Sequence, residues 1–268
     1  MTDAPIRIDD PGDPRIAEYR SIRERDLVGR ERRFIAEGKV VLNVLFSARR
    51  FAAESALVLD RKLSGIADTL ALAPPGMPVY VAAQGVMDAI AGFHIHRGVL
   101  ALGVRRDDED ADTLLGLLPD DALVVALSGI ANHDNVGAIF RNAAAFEADA
   151  VLLDASCCDP LYRKAIRVSV GAALKVPFAV AGDDMALFDA LDRHGFRQIA
   201  LSPSGRDDIA AIHREGRTAL WLGAEGEGLA RATMARMRTV RIPMATDFDS
   251  LNVATAGAIA LYRLWRPR

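Results

Sequence analysis

The chain has 268 residues, of which 51% are hydrophobic and 26% charged, a composition typical of a soluble globular protein and too apolar for wholesale disorder. No segment approaches the roughly 18 apolar residues of a membrane span, and the acidic N-terminal segment lacks the apolar core of a secretory signal, so we expect a cytoplasmic protein. The net charge of −3 weighs against a nucleic-acid binder, which usually carries a basic excess.

The first half of the chain is predicted to be a small α/β domain over residues 1–112. Apolar periodicity predicts helices at 14–25, 38–48 and 60–72, and strands at 34–38, 55–60, 78–82 and 98–104. Six arginines lie between Arg20 and Arg33, and three more close the chain at Arg263, Arg266 and Arg268. Each group is either a solvated helix face or a set of contacts to nucleic-acid phosphates.

An acidic segment with a late proline, residues 105–121, is predicted to link this domain to a second one over residues 120–268. The second domain alternates short apolar strands with amphipathic helices. Its predicted strands are 122–128, 150–154, 177–181, 197–202, 218–223 and 239–243, and its predicted helices are 135–147, 160–174, 184–194, 227–236 and 250–265. This alternation predicts a parallel sheet with helices on both faces.

The two cysteines, Cys157 and Cys158, are adjacent and cannot cross-link distant parts of the fold. The five histidines are scattered, and a metal site would need more clustered ligands. We therefore expect reduced thiols and no bound metal.

Ligands of parallel α/β sheets bind at the carboxyl ends of the strands, so the segments that follow the strands carry the functional prediction. After strand 122–128, the helix-capping residues Asn132, Asp134 and Asn135 precede an apolar helix that contains Arg141 and Asn142. Free N–H groups at a helix start favour anions. The alternative is a capped core helix with one solvated arginine.

After strand 218–223, three glycines at 223, 226 and 228 alternate with Glu225 and Glu227. Glycines allow a backbone to approach a ligand closely. The spacing is neither a dinucleotide fingerprint nor a phosphate-binding P-loop, and the carboxylates would repel a pyrophosphate. The segment is either a ligand-binding loop or a plain tight turn.

After strand 239–243, Ser250 is predicted to cap a helix of small residues that could pack closely against a cofactor. Asn252 is an amide in an apolar stretch, so it needs a hydrogen-bond partner if it is buried. It is either a site residue or a satisfied core amide.

The order and spacing of these three segments are more specific than any one of them. N-x-G-x-x-x-R at 135–141, L-G-A-E-G-E-G-L at 222–229 and I-P-M followed by S-L-N-V-A at 242–254 resemble the three motifs of the SpoU/TrmH family of RNA ribose 2′-O-methyltransferases, in the SPOUT superfamily. The first half resembles the family's ribosomal-protein-like RNA-binding domain, with 92–103 similar to its last strand region.

The resemblance implies a SPOUT-like α/β fold with a trefoil knot in the C-terminal domain. It also implies a homodimer with the cofactor near its interface, and rRNA or tRNA as substrate. The implied cofactor is S-adenosyl-L-methionine, held mainly by backbone groups of the second and third motifs. The residues assigned to it are Leu222, Gly223, Gly228, Ile242, Met244 and Leu251.

The resemblance assigns catalysis to polar residues of the three motifs, namely Arg141, Asn135, Glu225, Ser250 and Asn252. Arg141 is a poor general base because the pKa of arginine is about 12.5–13.8. We therefore prefer that it anchors the 3′ phosphate and stabilises alkoxide charge, while a strongly perturbed Arg141 acting as base stays open. Asn135 would hold or orient the ribose, Glu225 would orient Arg141 or accept charge-assisted hydrogen bonds, and Ser250 and Asn252 would shape the site.

Two positions depart from the family pattern. Thr246 stands where many members have glycine, which matters if that position requires a positive φ. Ala254 replaces a common serine, a milder change.

Two rival functions stay open from sequence. One is a catalytically silent RNA-binding protein on the same scaffold, against which the intact polar residues argue. The other is a nicotinamide-dependent enzyme, which would lack its glycine fingerprint. Binding of S-adenosylmethionine or of NAD separates them.

Overall fold

The computed structural model describes residues 4–20, 28–29, 31–91, 98–106, 110–247 and 250–267. Contacts divide the chain into two compact units. The N-terminal unit comprises residues 1–107 together with 159–175, and the C-terminal unit comprises 108–158 together with 176–268. Segment 159–175 thus packs with the first unit although the sequence pattern assigns it to the second domain.

Twelve strands and ten helices are numbered here in chain order within the described residues. The strands are β1 (Ile6–Ile8), β2 (Arg33–Glu37), β3 (Phe51–Leu59), β4 (Val79–Ala82), β5 (Val99–Arg105), β6 (Leu123–Ser128), β7 (Ala150–Leu153), β8 (Phe178–Val180), β9 (Arg197–Leu201), β10 (Asp207–Asp208), β11 (Thr218–Gly223) and β12 (Arg238–Arg241). The helices are α1 (Lys39–Ser47), α2 (Ala67–Leu70), α3 (Gln84–Ala91), α4 (Ala111–Gly116), α5 (His133–Ala145), α6 (Arg163–Val168), α7 (Ala172–Lys175), α8 (Asp184–Arg193), α9 (Arg231–Met234) and α10 (Val253–Leu264).

The N-terminal unit is built on a mixed five-stranded sheet in the order β1-β4-β3-β5-β2. Strands β1 and β3 pair in parallel with β4, and β5 pairs antiparallel with both β3 and β2. Tyr19 is buried against this sheet. Its hydroxyl forms a hydrogen bond with Ser55 Oγ at 2.7 Å and accepts one from the Leu102 amide at 3.1 Å. The predicted small α/β architecture is confirmed.

Two helix predictions in this unit are wrong. Residues Pro14–Tyr19 of the predicted helix 14–25 form a 3₁₀-helix with a kink at Ile16, where φ is −116° and ψ is 19°. Residues 21–25 of that prediction lie outside the described residues. Residues 60–72 form two 3₁₀ turns and the short α2 in place of one long helix. Strand β1 and helix α3 were not predicted.

The C-terminal unit is built on a seven-stranded sheet in the order β10-β12-β9-β11-β6-β7-β8, and all of its paired strands are parallel. The six predicted strands are present within two residues of their predicted ends. Central strands β6 and β7 are buried along their length because helices cover both faces. Only the two-residue β10 is additional.

The acidic segment 105–121 is not an open linker over its second part. Asp110 caps α4 by accepting the Thr113 amide at 2.9 Å, and Leu114 and Leu115 are buried in the core of the C-terminal unit. Apolar residues at helical spacing among the acidic ones are the sequence signal for this.

The predicted helix 160–174 is interrupted. Val170 has a φ of +54°, and the following Gly171 has a φ of +85°. These left-handed conformations end α6 and separate it from α7. None of the described helices has both the length and the apolarity needed to span a bilayer.

Candidate active site

A cavity of about 320 Å³ lies at the carboxyl edge of the parallel sheet, within the size range of small-molecule sites. Loops that follow three neighbouring strands and the start of α10 form its walls. Its lining comprises Leu201, Ser202, Pro203, Leu222, Gly223, Ala224, Glu225, Gly226, Gly228, Ile242, Met244, Ser250, Leu251, Asn252, Val253 and Ala256. Glu225 is the one charged side chain among these residues, and the lining contains no lysine or arginine.

All six residues that the sequence assigned to the cofactor lie in this lining: Leu222, Gly223, Gly228, Ile242, Met244 and Leu251. They come from segments up to 29 positions apart, which the sheet brings together because β11, β9 and β12 are neighbours. Their apolar side chains and main-chain groups suit an uncharged aromatic ligand moiety.

Three of the five residues assigned to catalysis line the cavity, and a fourth is hydrogen-bonded to two of them. Glu225, Ser250 and Asn252 line it. Asn135, on the first turn of α5, is 5% exposed and donates from its side-chain nitrogen to Glu225 Oε1. Asn252 Nδ2 in turn donates to Asn135 Oδ1 at 2.9 Å. A single hydrogen-bond chain therefore joins all three motifs.

Asn252 can serve this chain because of where it sits in the helix. It is the N-cap of α10, and its Oδ1 accepts the amides of Ala254 at 3.0 Å and Thr255 at 3.2 Å. Its amide nitrogen is then free to donate to Asn135. The prediction that Ser250 caps this helix is therefore wrong. Ser250 is exposed, lies two residues before the cap Asn252 and lines the cavity.

A second contact holds α5 against α10. Asn142 Nδ2 donates to the Ala254 carbonyl at 2.9 Å. Asn132 caps α5 by accepting the Asp134 amide at 2.8 Å. The polar residues of this first segment therefore fix the position of α5 and hold the residues that line the cavity.

The glycines of the second motif have distinct structural duties. A Cβ on Gly223 would collide with the backbone of Gly228 and Leu229. Gly228 has a φ of +71° and donates its amide to the Ala224 carbonyl at 2.9 Å. The loop folds back on itself tightly, and this conformation defines one wall of the cavity.

Arg141 does not join the others. It is exposed on α5, it is absent from the cavity lining, and its side chain makes no hydrogen bond or ion pair with any residue that the structure describes. The predicted contact between Arg141 and Glu225 is not seen, since Glu225 is bonded to Asn135. Six positions of helix separate Arg141 from Asn135, which turns the two side chains to different faces.

Sequence reasoning missed the residue that secures the loop before α5. Asp154, 6% exposed at the end of β7, accepts hydrogen bonds from the Gly129 amide at 3.0 Å, from Ser156 Oγ at 2.7 Å and from the Cys157 amide at 3.0 Å. Burial alone would raise the pKa of Asp154, but the bonds from Ser156 and Gly129 outweigh it, and the pKa is lowered. An aspartate followed by serine after a strand is the signal that could have found this turn.

Burial and the Asp154 charge raise the pKa of the Cys157 thiol to about 12. Cys157 Sγ accepts the Ile130 amide at 3.3 Å, and both cysteines are free thiols. Cys157 is therefore a neutral packing residue of the same loop.

Thr246 carries no backbone strain. The described non-glycine residues with positive φ are Arg32, Glu147 and Val170, and Thr246 is not among them. In this chain the position therefore does not adopt the left-handed conformation that favours glycine.

Comparisons with known proteins agree with this architecture. The model of the SpoU rRNA Methylase family matches residues 122–262. A protein of Mycobacterium bovis described as an uncharacterized tRNA/rRNA methyltransferase is 42% identical over 267 residues, covering 96% of this chain and 90% of that protein. A relative from Mycobacterium tuberculosis with the same description is 41% identical over the same shares.

Solved structures share the fold over nearly the whole chain. An RNA 2′-O ribose methyltransferase superimposes with a TM-score of 0.78 at 27% identity, covering 96% of this chain and 97% of that one. The AdoMet-bound rRNA methyltransferase of Sinorhizobium meliloti gives a TM-score of 0.81 at 22% identity, covering 96% of each chain. The predicted α/β fold is confirmed, while the trefoil knot stays a prediction. The chain therefore belongs to the SpoU rRNA methylase family of RNA methyltransferases.

Proposed function

We propose that this protein transfers a methyl group from S-adenosylmethionine to a ribose 2′-hydroxyl of tRNA or rRNA. The observation that carries the proposal is the chain of hydrogen bonds from Glu225 through Asn135 to Asn252 at the wall of the cavity. The similar RNA 2′-O ribose methyltransferase structure supports the choice of the ribose.

The cavity suits this cofactor chemically. S-adenosylmethionine carries its reactive methyl group on a positively charged sulfonium. Glu225 supplies a carboxylate, and the described lining residues include no cation that would oppose the sulfonium or attract a pyrophosphate. Leu222, Ile242 and Leu251 offer apolar surface to an adenine ring, with main-chain groups beside them.

The residues of this chain then position and stabilise the nucleophile. Asn135 is fixed on both sides by hydrogen bonds, so in our proposal its amide and that of Asn252 orient the ribose without reorganising. Arg141, exposed and unpaired with any described residue, is suited to grip the 3′ phosphate with two parallel N–H groups and to stabilise charge as the hydroxyl loses its proton to solvent.

We also propose that the protein acts as a homodimer through the exposed side of α5 and α10. Tyr262 is 65% exposed and Ile259 40% exposed. Phe146 contacts both Tyr262 and Trp265, with ring centroids 5.9 Å and 6.1 Å apart, which forms an aromatic surface of the kind enriched at interfaces. Tyr262→Glu should yield a monomer of reduced activity in analytical ultracentrifugation and methyl-transfer assays; a fully active monomeric wild type contradicts this.

The division of labour between residues 1–112 and 120–268 stays part of the proposal, with the first selecting RNA and the second binding the cofactor. A plain deletion of residues 1–112 is a poor test. It would remove β2 and α1, against which segment 159–175 packs within the N-terminal unit. Point substitutions in the full chain are therefore needed.

Mass-spectrometric mapping of ribose methylation in cells with and without the gene tests the function and identifies the target. The proposal expects one or a few 2′-O-methyl nucleotides to disappear and to return when the wild-type gene, but not an Arg141→Ala copy, is restored. Unchanged ribose methylation together with a purified protein that does not bind S-adenosylmethionine would leave the silent RNA-binding alternative.

A further inference from the structure

Segment 159–175 is a basic stretch that the structure describes in full. It contains four lysines and arginines and one aspartate, hence a net charge of 4 − 1 = +3, whereas the whole chain has a net charge of −3. Its basic residues are Arg163, Lys164, Arg167 and Lys175. Neither the motifs nor the cavity accounts for this concentration of positive charge.

The fold holds this segment rigidly. Ala165 and Ile166 on α6 are fully buried, and α6 packs against the edge strand β2. A Cβ on Gly171 would lie 3.2 Å from Val44, so the turn after α6 is pressed against α1. The buried Ser169 hydroxyl donates to the Ile166 carbonyl at 2.9 Å, which closes the end of the helix.

The basic side chains of α6 project from the opposite side of this anchored helix. Lys164 and Arg167 are exposed and three positions apart, so they are neighbours on one helix face, and Arg163 is half-buried one turn before Arg167. Like charges at this spacing repel by a few tenths of a kcal/mol per pair. Lys175 ends α7, which packs against α6. We call Lys164, Arg167 and Lys175 the basic face.

The described arginines of the N-terminal cluster are engaged elsewhere. Arg33 pairs with Glu54 at 2.8 Å, with Glu31 at 3.4 Å and with Glu18 at 3.9 Å. Arg20 donates to the Asp13 carbonyl at 2.5 Å, and Arg23, Arg25 and Arg30 lie outside the described residues.

By contrast, the Arg167 side chain makes no hydrogen bond or ion pair with a described residue. Its guanidinium is thus available to an anion from solution, unlike that of Arg33.

We propose that the basic face binds the phosphate backbone of the RNA substrate and supplies affinity without touching the reacting nucleotide. The inference rests on the proposed function insofar as the substrate is RNA. Cations held on a rigid surface neutralise phosphates and release counterions, which makes affinity steeply dependent on salt. The basic face would therefore determine the affinity for RNA, and the cavity would determine which reaction takes place on the bound RNA.

The test compares two full-length double variants with the same change in net charge. Arg167→Gln/Lys175→Gln removes two charges from the basic face. Arg7→Gln/Arg15→Gln removes two arginines of the same unit that are about half exposed, at 51% and 48%, and ion-paired with Asp9 and Asp13. Filter binding would measure dissociation constants for total tRNA and for deproteinised bacterial rRNA between 50 and 200 mM salt.

For the basic-face variant we expect affinity to fall roughly tenfold and the slope of log K against log salt to shrink by about 1.4–1.8, the contribution of two phosphate contacts. The control variant should stay within about twofold of wild type. In methyl-transfer assays the basic-face variant should raise KM for RNA and leave kcat unchanged at saturating RNA, with an unchanged melting temperature.

Equal losses in both variants would reduce the effect to general charge and overturn the inference. Unchanged RNA binding by the basic-face variant would also overturn it and would indicate that the face contacts another partner, such as a protein. The binding result is independent of which atom becomes methylated. A wild type that binds RNA through this face but methylates a base would refute the proposed function alone.

Discussion

The two sheets of this protein use their polar residues differently. At the carboxyl edge of the parallel sheet, side chains from separate loops bond to one another, as Asn252, Asn135 and Glu225 do. In the N-terminal unit, charged residues pair on the surface, as Arg33 does with its carboxylates.

The first arrangement fixes a few groups around a cavity, which is what positioning a reaction requires. The second contributes little stability per pair, since exposed ion pairs are usually worth under about 1 kcal/mol. Arg141 in the C-terminal unit and Arg167 in the N-terminal unit take part in neither arrangement. Their positive charges are therefore available to bind an anionic ligand.

The largest effect is expected at Arg141. Arg141→Ala should lower kcat by at least about 10³-fold while S-adenosylmethionine binding and melting temperature stay near wild type, because the side chain makes no hydrogen bond or ion pair with a described residue and we assign its interaction to the transition state. Arg141→Lys should also fail for lack of planar, two-pronged donors. A tritiated-methyl assay measures both, with Arg197→Ala, an exposed arginine paired with Glu215, as control.

Near-normal turnover by Arg141→Ala would remove this residue from the reaction. It would also show that an arginine without a described partner does not differ in function from an ion-paired one such as Arg197.

The next effect tests the hydrogen-bond chain. Asn135→Asp replaces the amide donor that faces Glu225 with a second carboxylate, so we expect kcat to fall by about 10²-fold and stability to fall by roughly 2 kcal/mol from the unpaired charge. Adding Glu225→Gln reverses donor and acceptor and should restore most of the stability. Chemical denaturation of the single and double variants measures the coupling; additive effects would show that the two side chains do not act together.

A smaller effect is expected from Gly223→Ala. The new methyl group has no space beside Gly228 and Leu229, so the loop must shift and affinity for S-adenosylmethionine should fall by about tenfold or more. Gly85→Ala is the matched control, because a Cβ there meets nothing within 4 Å. Isothermal titration calorimetry distinguishes the two, and equal affinities would show that this loop wall is not the binding surface.

The effect with the least influence on the reaction concerns Asp154, whose pKa is lowered in the folded state. Its contribution to stability is therefore present above its ordinary value of 3.8 and is lost as pH falls through the lower folded value. Asp154→Asn should cost about 1–3 kcal/mol at pH 7, because one amide cannot replace an acceptor of several N–H and O–H donors. The difference from wild type should shrink below pH 3.8; a difference independent of pH would contradict the assigned charge.

Much of the C-terminal unit was predictable, because strands buried on both faces leave continuous apolar runs and the residues after them mark the functional edge. The break in the helix at Val170 was not predictable from sequence. A β-branched residue does not favour a φ of +54° by itself, so the packing around Val170 must hold this backbone conformation. The part played by segment 159–175 in the N-terminal unit depends on long-range packing that periodicity does not carry.

The candidate site shows the same limit. The order of the motifs identified Asn135, Glu225 and Asn252 as site residues. It did not predict that the hydrogen-bond partner of Glu225 is Asn135 and not Arg141. Leu201, Ser202 and Pro203 of the cavity wall carry no motif, and only the pairing of β9 with β11 brings them there.

The central claim, methyl transfer to a ribose, is tested most directly by alkaline hydrolysis of RNA labelled in vitro with the purified protein and tritiated S-adenosylmethionine. A methylated 2′-oxygen cannot attack the neighbouring phosphate, so the account predicts that the label is recovered in alkali-resistant dinucleotides, and that Arg141→Ala gives none. Label recovered in single nucleotides would place the methyl group on a base and contradict the claim.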